Sequence, residues 1–181
     1  MSFNNCTCSK PSFITSLSNF SSFLSLSEQS PNNAKYIFFD LDGTLSEYRF
    51  NNHVSGKNDW GGQTWEELFF GNVFVSNRPL KTMVELIKKL DCNKVYVLGA
   101  TNTNHEIDEK YEWLQKYYPF IKRENIIFVA NSSLKLIALQ QYAKKLNIEK
   151  KDIVFVDDKH STLRKSEEEG FTSYHITSFM K

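Results

Sequence analysis

The chain has 181 residues, and its 40% hydrophobic and 14% aromatic content is enough to bury the core of one domain. Its formal net charge of +1 gives no electrostatic argument for binding nucleic acid or an anionic membrane. Three cysteines are too few for a disulfide framework, and no apolar run reaches the length of about 18 residues that a transmembrane helix needs. These features favour a reducing compartment, and we predict a cytoplasmic location.

Residues 1–34 differ in composition from the rest of the chain. They are rich in Ser and Asn, and only Lys10 and Glu28 are charged. Such a composition predicts a disordered N-terminal extension. Within it, four apolar residues stand at helical spacing with serines between them: Phe13, Leu17, Phe20 and Leu24. A short amphipathic docking helix or an organelle presequence is therefore an alternative, although the segment lacks the arginines that are typical of presequences.

From residue 35 onward, short apolar segments alternate with amphipathic ones. In chain order, the pattern predicts strand 36–39, helix 79–90, strand 95–98, helix 105–118, strand 126–129, helix 134–146, strand 153–156, helix 162–169 and strand 173–176. This alternation is typical of a parallel sheet with helices on both faces. We therefore predict one α/β domain over residues 35–181, built as a three-layer α/β/α sandwich around a mostly parallel sheet.

The stretch of residues 46–79 is too long for a tight turn and too short for a large cap domain, so we expect a small flap or lid there. Its Arg49 and Arg78 are candidates to grip an anionic group of a substrate. Its Trp60 and Trp65 are placed to stack on a base or sugar. Alternatively, the tryptophans anchor the flap to the core and the cations face solvent.

Asp40 and Asp42 directly follow the first predicted strand, and Gly43 then interrupts its course. Ligands of open α/β sheets bind at this carboxyl end of the strands. Two carboxylates placed two residues apart share one face of an extended chain, and holding two anions so close is unfavourable unless a cation lies between them. An oxygen-only ligand set indicates Mg²⁺. The alternative is a strand-to-turn corner with solvated acids.

Polar residues also follow the other predicted strands. Thr101 and Thr103 come after the second strand, and the sequence leaves open whether one of them has a functional hydroxyl or both cap the next helix. Lys135 lies near the start of the helix after the third strand, and Asp157 and Asp158 follow the fourth. A solvated lysine and an acidic turn are the alternatives, but paired acids at two separate strand ends argue against coincidence.

In content and order, the DLDGT motif at residues 40–44, Thr101, Lys135 and the acidic pair at 157–158 resemble the four motifs of the haloacid dehalogenase-like superfamily. The resemblance implies a Rossmann-like fold, bound Mg²⁺ and a hydrolase that works through an aspartyl-phosphate intermediate on the first aspartate. Members with an acid at the second aspartate are generally phosphatases or phosphotransferases. The resemblance therefore predicts a phosphatase and not a dehalogenase.

The resemblance also implies a role for each catalytic residue. Asp40 is the nucleophile, and Asp42 protonates the leaving oxygen and then deprotonates the hydrolytic water. Thr101 and Lys135 hold phosphoryl oxygens and neutralise charge. The implied metal ligands are Asp40, Asp42 through its backbone carbonyl, Asp157 and Asp158.

Substrate contacts near the motifs are assigned on the same basis, and the two arginines of the predicted flap are assigned from their charge. The candidate substrate-binding residues are Gly43, Thr44, Asn102, Arg49 and Arg78. One sequence does not decide whether Thr101 or Thr103, and whether Asp157 or Asp158, is the motif residue.

The predicted function is a Mg²⁺-dependent phosphoric monoester hydrolase, and its expected substrate is a phosphorylated small molecule of unknown identity. A polynucleotide end-phosphatase is an alternative, since a local basic flap can bind nucleic acid at neutral net charge. A non-catalytic binding or regulatory module that keeps the fold is another, but the intact pair of Asp40 and Asp42 argues against it. The sequence leaves the oligomeric state open.

Overall fold

Five parallel strands form the centre of the structure, a computed structural model that describes residues 35–47, 74 and 77–180. The strands are β1 (Tyr36–Phe39), β2 (Val95–Ala100), β3 (Ile126–Val129), β4 (Ile153–Asp157) and β5 (Thr172–His175). Their order across the sheet is β3-β2-β1-β4-β5, and all neighbours are parallel. Because β1 is central, the residues that follow it lie between those that follow β2 and β4.

Helices cover both faces of this sheet. In the described residues they are α1 (Lys81–Ile87), α2 (Asn104–Tyr117), α3 (Lys135–Leu146) and α4 (His160–Glu168), with 3-10 turns at Arg123–Asn125, Ser132–Leu134, Lys150–Asp152 and Ile176–Phe179. Successive side chains of β1 point to opposite faces. Ile37 and Phe39 pack with α1 and α2, whereas Phe38 packs with α3 and α4. The predicted three-layer α/β/α sandwich with a parallel sheet is confirmed.

The predicted bounds of β1 and β3 match the structure, and the other elements differ by a few residues at their ends. β2 runs two residues further than predicted because Gly99 and Ala100 pair with Phe128 and Val129 of β3. Gly99 suits this position, since a Cβ atom there would lie only 3.1 Å from the Phe128 ring. Gly99 thus permits close packing within the strand.

Two paired extended segments form the base of the predicted flap. Ser46 and Pro79 form an antiparallel bridge, and the N–H of Glu47 donates to the carbonyl of Arg78 at 2.8 Å. This pairing keeps Pro79 out of the helix that was predicted to begin there, so α1 begins at Lys81. The flap therefore leaves and rejoins the domain at one place, beside the loop that follows β1.

Several sequence predictions lie outside the described residues. These are the disordered extension at 1–34 and most of the flap, with Arg49, Trp60 and Trp65. Within the described part of the chain, no helix has both the length and the apolar character needed to cross a membrane. The cytoplasmic location stays a prediction.

Replacing Phe38 tests the packing between β1 and the layer of α3 and α4. Phe38 is fully buried and stacks on Tyr96, with ring centroids 4.6 Å apart. We expect Phe38→Ala to lower the free energy of unfolding by about 3–5 kcal/mol, because it removes buried contacts and leaves a cavity. Ile137 on α3 is 48% exposed, and Ile137→Ala should change that free energy by less than about 0.5 kcal/mol. Urea denaturation measures both, and equal losses would contradict this description of the core.

Candidate active site

The loop after β1 places two carboxylates at the carboxyl edge of the sheet. The N–H of Asp40 still donates to the carbonyl of Val156 on β4, at 2.8 Å, so its backbone continues the sheet. The chain then turns back, and the N–H groups of Leu45 and Ser46 both donate to the carbonyl of Leu41 at 2.9 Å. Gly43 has a φ of 75°, a conformation that glycine adopts without steric cost. The turn thus follows from the sequence DLDG.

Three carboxyl groups converge at this edge. One oxygen each of Asp40, Asp157 and Asp158 lies within 4.8 Å of the others. Asp157 is the last residue of β4 and is fully buried, Asp40 is 4% exposed, and Asp158 is partly buried. Because β1 and β4 pair with Phe39 opposite Val156, Asp40 just after β1 and Asp157 at the end of β4 come together at the same edge.

Lys135, the first residue of α3, partly neutralises this cluster. Its Nζ atom lies 2.9 Å from Oδ2 of Asp157, to which it donates a hydrogen bond, and 2.6 Å from Oδ1 of Asp40. Lys135 thus pairs with Asp40 and Asp157 together. One ammonium against three carboxylates leaves an excess of negative charge, which suits a hard divalent cation such as Mg²⁺.

Burial and like charges shift two acids of the cluster, Asp40 and Asp158, toward their protonated forms. Burial raises the pKa of Asp40, and the charges of Asp157 and Asp42 add to the rise while Lys135 opposes it. Burial, together with the charge of Asp157, raises the pKa of Asp158 to about 6. For Lys135, burial disfavours the ammonium, but the carboxylates of Asp40 and Asp157 outweigh this effect and raise its pKa. A bound cation would replace the missing positive charge.

The carboxylate of Asp42 has a different partner. Its Oδ2 atom accepts a hydrogen bond from Lys110 of α2 at 2.7 Å. In the described residues, the group that could hold a metal consists of Asp40, Asp157 and Asp158, without the carboxylate of Asp42. The predicted contribution of Asp42 to the metal is its backbone carbonyl, and this contribution stays a prediction.

The two threonines after β2 have different surroundings. Thr101 is buried and its N–H donates to the carbonyl of Val129 at 2.9 Å, so it continues the β2 ladder. Thr103 is the N-cap of α2, and its hydroxyl accepts a hydrogen bond from the N–H of Glu106 at 3.1 Å. The hydroxyl of Thr103 is thus engaged in capping, which leaves Thr101 as the candidate for contact with a phosphoryl group.

The candidate substrate-binding residues differ in burial and in their distance along the chain from the acidic cluster. Gly43 lies in the loop after β1, and the adjacent Thr44 is fully buried, with no hydrogen bond to its hydroxyl. Asn102 is exposed, and its N–H donates to Glu106 at 2.6 Å. Arg78 is exposed at the base of the flap. Arg49 lies outside the described residues, so its predicted role is untested.

Sequence reasoning missed Lys110. The apolar periodicity of its helix predicts a buried face through Ile107, Tyr111, Leu114 and Tyr118. Leu114 and Tyr118 are buried, but Ile107 and Tyr111 are only partly buried, and the helix also buries Glu109, Lys110 and Trp113. Burial disfavours the charge of Lys110, but the carboxylates of Asp42 and Glu106 outweigh burial and raise its pKa. The available signal was Glu106, which ends a Thr-x-x-Glu capping-box pattern and stands four residues before Lys110.

Metal-free protein tests the charge balance of the cluster. The pKa of Asp158 in the folded state, about 6, lies above its ordinary value of 3.8, so the folded chain keeps this proton to higher pH than the unfolded chain. Deprotonation then favours unfolding. In EDTA at about pH 7.5, we expect Asp158→Asn to melt at a higher temperature than the wild type, with the difference shrinking toward about pH 4.

Adding Mg²⁺ should raise the Tm of the wild type more than that of Asp158→Asn, because the cation takes the place of the proton. Thermal melts at several pH values measure both effects. A variant that is less stable than the wild type in EDTA at every pH would contradict the charge balance described here.

Comparison with known proteins finds curated relatives that match part of the chain and a solved structure with a similar fold. No protein-family model matches the chain. Two curated relatives, both 5'(3')-deoxyribonucleotidases, come from Bacillus subtilis (strain 168) and Bacillus phage SPbeta, and each is 36% identical over 67 residues. The match covers 36% of this chain and spans only 37% of the length of each relative.

A solved structure of a haloacid dehalogenase-like family hydrolase from Streptococcus pneumoniae has the same fold. It aligns with a TM-score of 0.51 at 13% identity, over 77% of this chain and 82% of that chain. At 13% identity, the similarity shows a shared fold and gives no evidence about activity. The chain therefore has the fold of the haloacid dehalogenase-like hydrolases, which is the fold that the resemblance of its motifs implies.

Proposed function

We propose that this protein is a Mg²⁺-dependent phosphatase that hydrolyses phosphoric monoesters through an aspartyl-phosphate intermediate on Asp40. The observation that carries the proposal is the convergence of Asp40 with Asp157, Asp158 and Lys135 at the carboxyl edge of a parallel sheet. Acids and a lysine with raised pKa values at one edge are typical of catalytic sites. The intact pair of Asp40 and Asp42 argues against a module that has lost its activity.

In the first step, a carboxylate oxygen of Asp40 attacks phosphorus. The bond between phosphorus and the leaving oxygen breaks, and its electron pair departs with that oxygen, which takes a proton from Asp42. In the second step, water attacks the phosphorus of the acyl phosphate while Asp42 takes a proton from the water. The bond between phosphorus and Asp40 breaks, and inorganic phosphate and the free Asp40 carboxylate result.

Charge stabilisation accounts for most of the catalysis of phosphoryl transfer. Lys135 is positioned to balance the charge of the nucleophile and of an incoming phosphoryl oxygen. Thr101 and the N–H groups near Gly43 are candidates to bind the remaining oxygens. Asp40, Asp157 and Asp158 would hold Mg²⁺, which neutralises charge and orients the phosphoryl group.

The substrate class is inferred from charge and from the curated relatives. The 5'(3')-deoxyribonucleotidases that match this chain are named for activity on deoxyribonucleotides. A net charge of +1 favours a small phosphorylated molecule over a polyanion. We therefore propose a nucleoside monophosphate as the first substrate class, with polynucleotide ends as the alternative that the experiment below separates.

Removing the nucleophile tests the proposed chemistry. We expect Asp40→Asn to lower kcat for p-nitrophenyl phosphate by more than about 10⁴-fold, because no acyl phosphate can form. EDTA should abolish the activity of the wild type, and Mg²⁺ should restore it. Both effects are measured by release of p-nitrophenolate.

Asp108→Asn is the matched control, since Asp108 is exposed on α2 and the same change in charge there should leave kcat unaltered. Wild-type levels of hydrolysis by Asp40→Asn would refute the aspartyl-phosphate mechanism. Activity that persists in EDTA would refute the dependence on metal.

A substrate panel tests the proposed class. We expect kcat/KM for 5'- or 3'-deoxynucleoside monophosphates to exceed that for a 5'-phosphorylated oligonucleotide of the same base by at least about tenfold, since the chain has no excess positive charge to attract a polyanion. Release of inorganic phosphate at constant ionic strength gives both values. A preference for the oligonucleotide that weakens steeply with added salt would instead support the polynucleotide end-phosphatase.

A further inference from the structure

We propose that Lys110 is a positioning residue for the acid–base group Asp42: it binds one carboxylate oxygen and leaves the other to exchange protons with the substrate. The inference rests on the proposed phosphatase function and goes beyond the four motifs on which that function is based. Lys110 is 68 residues away from Asp42 in the chain, and they meet only in the folded protein.

The ammonium group of Lys110 is surrounded by oxygen atoms of the protein. It lies 2.7 Å from Oδ2 of Asp42, 2.7 Å from the carbonyl of Ala100 and 2.7 Å from Oε1 of Glu106. An ammonium has three N–H donors, so each has a partner here. Lys110 is also only 1% exposed. It cannot bind a substrate oxygen without releasing one of these partners, and its role is therefore exerted through Asp42.

Glu106 fixes Lys110 from the other side. One of its carboxylate oxygens contacts Lys110, and the other accepts a hydrogen bond from the N–H of Asn102 at 2.6 Å. Thr103 caps the same turn by accepting a hydrogen bond from the N–H of Glu106. A continuous polar chain thus joins the loop after β2 to Asp42. A partner held this firmly restricts the rotation of a short aspartate side chain.

This arrangement has two consequences for Asp42. Because Lys110 donates to Oδ2, proton transfer to and from the substrate runs through Oδ1. The same contact holds the Asp42 carboxylate apart from the cluster of Asp40, Asp157 and Asp158, where a divalent cation would otherwise attract it. Without Lys110, the carboxylate of Asp42 would rotate more freely, and it could turn toward a bound cation and become a metal ligand.

The experiment compares two monoesters that differ in their need for a proton. Benzyl phosphate releases a strongly basic alkoxide that requires protonation, whereas p-nitrophenyl phosphate releases a weakly basic phenolate that does not. The measured quantity is kcat/KM, which covers the steps up to departure of the leaving group and excludes hydrolysis of the intermediate. We expect Lys110→Met to lower it by about 10²-fold or more for benzyl phosphate and by less than about tenfold for p-nitrophenyl phosphate.

Four further variants sharpen the test. Asp42→Asn should show the same dependence on the leaving group, and adding Lys110→Met to it should cause little further loss, since both changes remove one function. Glu106→Gln should shift selectivity in the same direction but less, and it serves as the probe if Lys110→Met does not fold. Lys116→Met is the matched control, because Lys116 is exposed on the same helix.

Four outcomes would overturn the inference. Equal losses on both substrates would indicate a general structural role for Lys110, as would full additivity with Asp42→Asn. Wild-type kinetics in folded Lys110→Met, or in Glu106→Gln if that is the variant that folds, would show that the contact is dispensable. A folded wild-type protein that releases phosphate with Mg²⁺ from neither ester and from no deoxynucleoside monophosphate would refute the proposed function itself, and this inference with it.

Discussion

The candidate active site depends on two buried ammonium groups that each lie between two carboxylates. Lys135 contacts Asp40 and Asp157, and Lys110 contacts Asp42 and Glu106. So many acids at one sheet edge would repel each other strongly without these cations. A buried charge that loses its partner typically costs about 3–5 kcal/mol, so neither lysine can be removed without consequence for its partners.

The sheet and the helices contribute different parts of this arrangement. The hydrogen bonds between strands fix the backbone positions of Asp40 and Thr101. The N–H groups of these two residues extend the pairing of β1 with β4 and of β2 with β3. The ammonium groups come from the two covering layers. Lys110 lies on α2, which packs on one face of the sheet, and Lys135 lies on α3, which packs on the other. The acids at the edge are therefore neutralised from both sides.

The two aspartates of the DLDG turn also interact with different partners. Asp40 belongs to the group with Asp157 and Asp158 that suits a cation, whereas the carboxylate of Asp42 is bound to α2. In the proposed reaction, one aspartate must remain a nucleophile beside the metal while the other exchanges protons. Two residues so close in the chain can differ in this way only because different elements contact them.

The sequence by itself determined the strands, their parallel arrangement and the acids that follow β1 and β4, because apolar periodicity and the DLDG turn are local properties. Only the tertiary structure decided that Thr103 caps α2, that β2 continues through Gly99, and that Lys110 lies buried against Asp42. A lone lysine on an amphipathic helix is ordinarily solvated. Its burial here results from a contact between residues far apart in the chain, which no local pattern records.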